Sequence, residues 1–406
     1  MTSSRLAGWA ALAVLIGSAG GACARFTRTA PPRWNPDLAA LRVGGDTGVT
    51  DTVARGVVHR KFADRRGPRA IDVLDVDRAL CWTVVAMKGH AGAVGRTTTS
   101  ALAAAVGRSM PVAGAVNADF FLFDPPGLPT GAHVSNGRVV AGPGTRPVFA
   151  VDSAGRPWTG FLSVIGAAVS ALDSMPITSW NRIAPAGLAW FDAAYGPSVD
   201  TLTGAVRVVL AAGSGLVQVV DSGPRATPIP SSGGVLVLGP RAASPLRERF
   251  LLSARARGRF AVQVRLAPFH PREAVGGFPI LVRDSQELAG LDSAGAATFA
   301  PARHPRTLLA WSAGGRRLLL VTIDGRQPGH SVGATLRESA RLALDLGATD
   351  AINLDGGGST TMVVRRDSAT VARYVVVNRP SDAQGERPVG NALGVVRQRA
   401  GGQGGC

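Results

Sequence analysis

The sequence predicts an α+β fold: a mixed, mostly antiparallel β-sheet core with a few covering helices, organised as one elaborated domain. Three observations lead there. Short apolar runs bounded by turn residues far outnumber helical stretches. The two clear helices do not alternate regularly with strands, as a doubly wound sheet would require. No internal repeat or low-complexity linker interrupts residues 72–397. A chain of 406 residues leaves room for two or three units at roughly 150 residues each, so a single domain has to be an elaborated one. Hydrophobic residues at 46% and charged residues at 17% exclude a disordered chain, which lacks enough apolar side chains to bury.

The first element is an export signal over residues 1–23. Arg5 supplies the positive start, and Leu6 to Gly17 is an apolar run too short for the ~20 residues that span a bilayer. Small residues then lead to Cys23, as in a lipoprotein cleavage site whose cysteine is acylated, although Gly20 departs from that pattern. Ala22-Cys23-Ala24 equally fits an ordinary signal-peptidase site, and in both cases the mature protein works outside the cytoplasm. Residues 24–71, rich in Arg, Pro, Gly and Asp with weak periodicity, read as a tether into the first strand.

Strands follow at residues 80–87, 112–116, 147–151, 206–211, 216–220, 235–238 and 260–266. The stretch from Phe260 to Leu266 alternates apolar and polar residues, the mark of a half-buried strand. Further strands are expected at 307–311, 318–323, 351–354, 361–364, 374–377 and 393–396. One helix runs from Thr98 to Met110 and stops before Pro111. The other spans Leu336 to Leu346, opened by a Thr335…Glu338 capping box and ended by Gly347. Residues 398–406 are a flexible tail. Cys81 reads as a buried apolar residue, with a Cys81–Cys406 disulfide left open; three cysteines exclude a disulfide-stapled scaffold and a multi-cysteine zinc site.

The net charge of +17 comes from an arginine excess, since Lys61 and Lys88 are the only lysines. These arginines are spread along the chain, and there is no basic helix, so nucleic acid is not an expected partner.

Chemistry concentrates at strand ends. Ala351-Ile-Asn-Leu-Asp355 runs into Gly356-Gly357-Gly358-Ser359-Thr360. Glycines let backbone N–H groups approach a ligand, and successive N–H groups form an anion-binding concavity. Asp355 at its mouth is placed for acid, base or nucleophilic work. A second cluster, Asn117-Ala118-Asp119-Phe120-Phe121, offers polar groups for sugar hydroxyls and an apolar platform. A third, Asp324-Gly325-Arg326, supplies another carboxylate and is followed by His330. Arg306-Thr307 opens a strand where an arginine fork can clamp phosphate.

Together with Gly276-Gly-Phe-Pro279 and Arg387-Pro-Val-Gly-Asn-Ala-Leu393, these motifs resemble the phosphodiester glycosidase family in type and order, over roughly residues 75–397. The Asp-Gly-Gly-Gly-Ser run is the most specific of them. Ala118 and Phe278 depart from the usual residues at their positions. The resemblance implies an exported hydrolase that cleaves a sugar-1-phosphodiester, of N-acetylglucosamine-1-phosphodiester type, in envelope glycans or exopolysaccharide. It assigns Asp355 and Asp324 as nucleophile or base, and Arg306 with Gly356, Gly357 and Gly358 as phosphate contacts. Asn117, Asp119, Phe120, Thr307, Arg326, His330, Ser359, Thr360 and Arg387 complete the expected substrate contacts. No cofactor or metal is expected, and the only membrane link is the lipid at Cys23. The alternative is a non-catalytic protein that binds glycans or cell-wall polymers in the same pocket.

Overall fold

The computed structural model describes residues 49–64, 68–89, 92–255, 258–296, 298–367 and 372–398. Residues 1–23, with the lipidation candidate Cys23, and most of the tail lie outside these. Among the described residues no helix is long and apolar enough to cross a membrane.

Two sheets form the centre. An eight-stranded sheet runs in the order Val49–Ala54, Val57–Asp64, Arg69–Asp77, Arg317–Ile323, Arg306–Trp311, Asp350–Asn353, Ile280–Arg283, Gln286–Glu287. A five-stranded sheet runs Ala372–Val376, Met362–Asp367, Val112–Asn117, Asn391–Arg397, Trp82–Lys88. Among the described residues the strand pairings are antiparallel, with Ser174–Trp180 beside Leu188–Phe191 the parallel exception. Alternation along each strand sorts side chains into layers. Leu74, Val76, Leu318 and Leu320 of the larger sheet face Val84, Val116, Val364 and Leu393 of the smaller. The intervening residues Ile71, Val73, Leu319 and Val321 face the helix Leu336–Asp345, whose Leu336, Ala340 and Ala343 are buried. On the far side of the smaller sheet, Leu102 and Ala103 of the helix Thr99–Gly107 pack on Ala115 and Val363. The result is a helix–sheet–sheet–helix stack, consistent with the expected mostly antiparallel α+β class.

Both predicted helices are present, slightly shorter than expected. Thr335 accepts a hydrogen bond from the Glu338 N–H while the Glu338 carboxylate accepts one from the Thr335 N–H, and Gly347 takes φ +81° just beyond the helix. The tether reading of residues 24–71 gives way from Val49 onward, where a hairpin joins the sheet edge. Its pattern was obscured because polar pairs sit between its buried apolar residues Val57 and Phe62. His59 lies 2.8 Å from the buried Asp72, and Arg60 lies 3.6 Å from the buried Asp75. Cys81 is half-buried rather than buried and has φ 66° ahead of its strand; it is disulfide-bonded, an option the sequence left open. Cys23 and Cys406 lie outside the described residues.

A second five-stranded sheet contains Glu273–Gly276 between His133–Ser135 and Val148–Val151. A seven-stranded sheet is drawn entirely from residues 163–267, with its own apolar cluster around Leu188, Leu236, Phe250 and Phe260. The expected strand 260–266 lies there as Ala261–Ala267, alternately exposed and half-buried over most of its length as its sequence pattern requires.

Candidate active site

The strands ending at Asn117 and Asn353 belong to the two central sheets, and their ends are tied together. The Asp355 N–H donates to the Ala118 carbonyl at 2.7 Å. The Asn117 side-chain amide donates to the Asp355 carbonyl at 2.6 Å. The Asn117 Oδ1 accepts from the Thr307 hydroxyl at 2.7 Å and from the Thr361 N–H at 3.0 Å. Asn117 and Thr307 are thus buried and committed to one another, and they hold the backbone that carries Asp355. Neither presents a free polar group for a sugar.

The carboxylate whose charge acts on Asp355 is Asp119. Asp119 is buried, with Oδ1 accepting from the Thr130 hydroxyl at 3.1 Å and Oδ2 from the Gly131 N–H at 2.7 Å. Its own N–H donates to Asn391 at 2.8 Å. Burial pushes Asp119 up to about 6, against the pull of those two donors and of the Arg146 and Arg182 charges. Asp355 is half-buried; desolvation and the Asp119 charge push it up to about 7, against the Ser359 side chain, the Gly356 N–H at 2.9 Å from its Oδ1 and the Arg387 charge. Two raised carboxyl groups, one adding its charge to the other and each with a different hydrogen-bond shell, are an arrangement that separates proton-holding from charge-bearing roles.

The glycine run does not expose the row of free N–H groups expected of it. Gly357–Ser359 forms a single 3₁₀ turn that closes on itself. The Gly356 N–H is held by Asp355, that of Gly357 by the Pro305 carbonyl, that of Ser359 by Gly356, and that of Thr360 by Gly357. What the glycines provide is room. Gly357 has φ +62°, and a Cβ there would lie 3.2 Å from an Arg326 guanidinium nitrogen. A Cβ on Gly358 would come within 2.1 Å of both Arg387 and Asp382. The absence of side chains therefore lets two guanidinium groups lie against the turn. Arg387 is held there by a two-pronged bond to Asp382 at 2.7 and 2.9 Å. Arg326 is exposed, with one nitrogen 3.3 Å from His304 Nδ1. The Thr360 hydroxyl is buried without a hydrogen-bond partner.

Arg306 is turned away from this turn. It is buried and donates to the carbonyls of Ala334, Phe299 and Ala302 at 2.9, 2.7 and 3.1 Å; burial lowers its pKa to about 10. It pins a loop and supports Phe299, whose ring centre is 5.0 Å from the guanidinium carbon. Asp324 is likewise occupied. Its carboxylate accepts from Asn378 at 3.0 Å and from the Arg379 N–H at 3.0 Å, and lies 2.9 Å from His330 Nε2. Asn378 in turn holds the Thr360 carbonyl and the Met362 N–H. Asp324 and His330 therefore anchor the chain beyond the glycine turn rather than stand beside Asp355 as a second free carboxylate and its neighbour.

Phe120, expected as an apolar platform, forms an aromatic wall with Phe278 and Phe299, with Phe299 6.0 Å from Phe120 and 6.2 Å from Phe278. Other participants carried no recognisable signal. Arg146 lies 4.3 Å over the Phe120 ring. Arg182, reaching in from the seven-stranded sheet, holds the carbonyls of Pro129 and Gly131 and so steadies the donors to Asp119. Asn391 and Gly276 sat within motifs noted in the sequence, but their role against Asp119 depends on contacts that no spacing announces. Among the described residues no three His, Cys, Asp or Glu side chains gather as metal ligands would.

Residues 206–396 match the model of the phosphodiester glycosidase family. Of the solved structures, a hypothetical protein from Synechocystis aligns with a TM-score of 0.70 at 22% identity, covering 87% of this chain and 64% of that one. This chain thus spans less than two thirds of the Synechocystis protein's length. A protein of Burkholderia pseudomallei K96243, named as exported, aligns at 0.63 and 28% identity over 82% of this chain and 75% of its own. The zebrafish N-acetylglucosamine-1-phosphodiester alpha-N-acetylglucosaminidase catalytic domain, auto-inhibited by its pro-peptide, aligns at 0.45 and 15% identity over 88% and 85%. No curated protein matches. The first two alignments establish a shared fold.

Proposed function

With the phosphodiester glycosidase match as premise, we propose that this chain is an exported hydrolase cleaving a sugar-1-phosphodiester of envelope glycans or exopolysaccharide. The observation that carries the proposal is the Asp119–Asp355 pair, two raised carboxyl groups flanked by arginines, the charge of the first helping to raise the second. Cleavage breaks the bond from the anomeric carbon to the phosphate oxygen. The departing phosphodiester becomes a phosphomonoester, which needs no proton to leave. Its charge is taken up by Arg387 and Arg326 over the glycine turn. Asp119 stays ionised at neutral pH and stabilises positive charge growing at the anomeric carbon. A water forms the new bond to that carbon, and its proton passes to Asp355, whose pKa near 7 suits a general base at working pH. The aromatic wall offers the apolar face on which a sugar ring stacks.

The test is hydrolysis of a sugar-1-phosphodiester beside its matched simple O-glycoside, followed by release of the phosphomonoester. The diester is expected to react at least ~10²-fold faster, the scale of one electrostatic group acting on the leaving charge. Equal rates would remove the phosphate reading.

Export is supported by the apolar leader, by the disulfide at Cys81, which suits an oxidising compartment, and by the exported naming of the Burkholderia relative. Anchoring through Cys23 predicts that the protein partitions into detergent with membranes and that Cys23→Ser abolishes this. A mature N-terminus at Arg25 with no lipid would show free secretion instead.

A further inference from the structure

We infer that Arg146 is a second grip on the phosphodiester and a determinant of preference for it over a neutral glycoside; this rests on the function proposed above. The other arginines around the site each have a polar partner within the protein. Arg306 and Arg182 hold carbonyls, Arg387 holds Asp382, and Arg326 meets His304. Arg146 makes no hydrogen bond or ion pair among the described residues, and its Nη1 is buried without a partner. Its guanidinium carbon instead lies over ring faces, 4.3 Å from the centre of Phe120 and 5.6 Å from that of Phe278. Its charge is nonetheless felt by Asp119.

A buried guanidinium nitrogen without an acceptor is costly unless something else supplies one. Stacking on two rings fixes the plane of the fork while leaving its in-plane N–H groups to be used. Arg146 is also placed where a cation has a purpose. It lies over Phe120, the residue after Asp119, whereas Arg387 and Arg326 lie against the glycine turn that follows Asp355. A phosphodiester has two non-bridging oxygens. One held from each side would fix the bridging oxygen relative to both carboxyl groups, so that the bond to be broken is oriented as well as neutralised.

The experiment compares wild type with Arg146→Met and Arg146→Lys on a sugar-1-phosphodiester and on the matched p-nitrophenyl glycoside. Arg146→Met is expected to lower the ratio of diester to glycoside kcat/KM by at least ~10-fold, with Lys, a point charge that cannot fork, recovering part of the loss. A separate titration of wild type and Arg146→Met with the sugar 1-phosphate, followed by calorimetry, should show weaker binding in the variant by a similar factor. Equal losses on both substrates with unchanged sugar 1-phosphate binding would mean that Arg146 only buttresses the wall and Asp119, and would overturn the inference. Should wild type hydrolyse neither substrate, the proposed function falls, and the titration alone then decides whether Arg146 binds the anion.

Discussion

Asp355→Asn is expected to lower kcat by ~10²-fold or more while KM changes little, because the substitution keeps the shape and removes the group that receives the proton. The pH profile provides a second signature. A base whose pKa is pushed up to about 7 must lose its proton to act, so wild-type kcat/KM should climb as pH rises through about 7 and level off above it. The residual activity of the Asn variant should lack that limb. Stability carries a third. The folded protein keeps a proton on Asp355 that the unfolded chain releases near its ordinary value of 3.8. The contribution of Asp355 is therefore fully present at the acid end and is lost as pH rises through about 7. The Asn variant should consequently gain in Tm relative to wild type between pH 5 and pH 8. Wild-type turnover in Asp355→Asn would refute the role.

Gly276→Ala should be nearly as damaging, although it adds a single methyl group. The built Cβ would lie 2.4, 2.5 and 2.6 Å from Oδ2, Cγ and Oδ1 of Asp119. Gly276 ends the strand Glu273–Gly276 in ordinary backbone geometry, so the obstacle is space. The carboxylate has to move, and moving it breaks the bonds from Thr130 and Gly131 that hold it beside Asp355. A fall in kcat/KM of ~10²-fold is expected, as for a misplaced catalytic group, with overpacking costing about 1–3 kcal/mol. Diester kinetics and thermal denaturation check both parts. Near-normal turnover would mean that the position of Asp119 is unimportant.

Gly276 also illustrates what the sequence could disclose. Gly276-Gly-Phe-Pro279 was noticeable as a motif, yet its function depends on a carboxylate more than 150 residues earlier in the chain. The local elements were legible because their signals are local. The Thr335–Glu338 box, the alternation over 261–267 and the apolar strand running into Asp355 each depend on residues within one or two turns of each other. The edge hairpin at Val49–Asp64 was obscured because His59 and Arg60, paired with Asp72 and Asp75, interrupt the period between the buried Val57 and Phe62. The site was legible as a set of strand-end clusters but not as a partnership. Asp324 and Asp119 look alike in the sequence, each an aspartate after an apolar run. Only the fold surrounds one with Asn378, Arg379 and His330 and sets the other against Asp355. Arg146, one of many arginines, had nothing to distinguish it until two phenyl rings lay beneath it.

The seven-stranded sheet begins and ends at a single seam, where Ser163 pairs with Ala267 and the two strands run antiparallel from there. That seam turns the intervening chain into a closed loop. Closing a loop of roughly 100 residues costs about 4 kcal/mol of chain entropy, and the logarithm in that cost makes it nearly indifferent to length. Adding or deleting twenty residues far from the seam would change it by only about 0.2 kcal/mol. The flanking sheets therefore sense the loop chiefly through its contacts, such as the Arg182 fork on the loop beneath Asp119, and hardly through its size. Substantial remodelling of this region should be tolerated by the stack, while the single substitution Arg182→Ala, made without altering any length, would reach the Asp119–Asp355 pair.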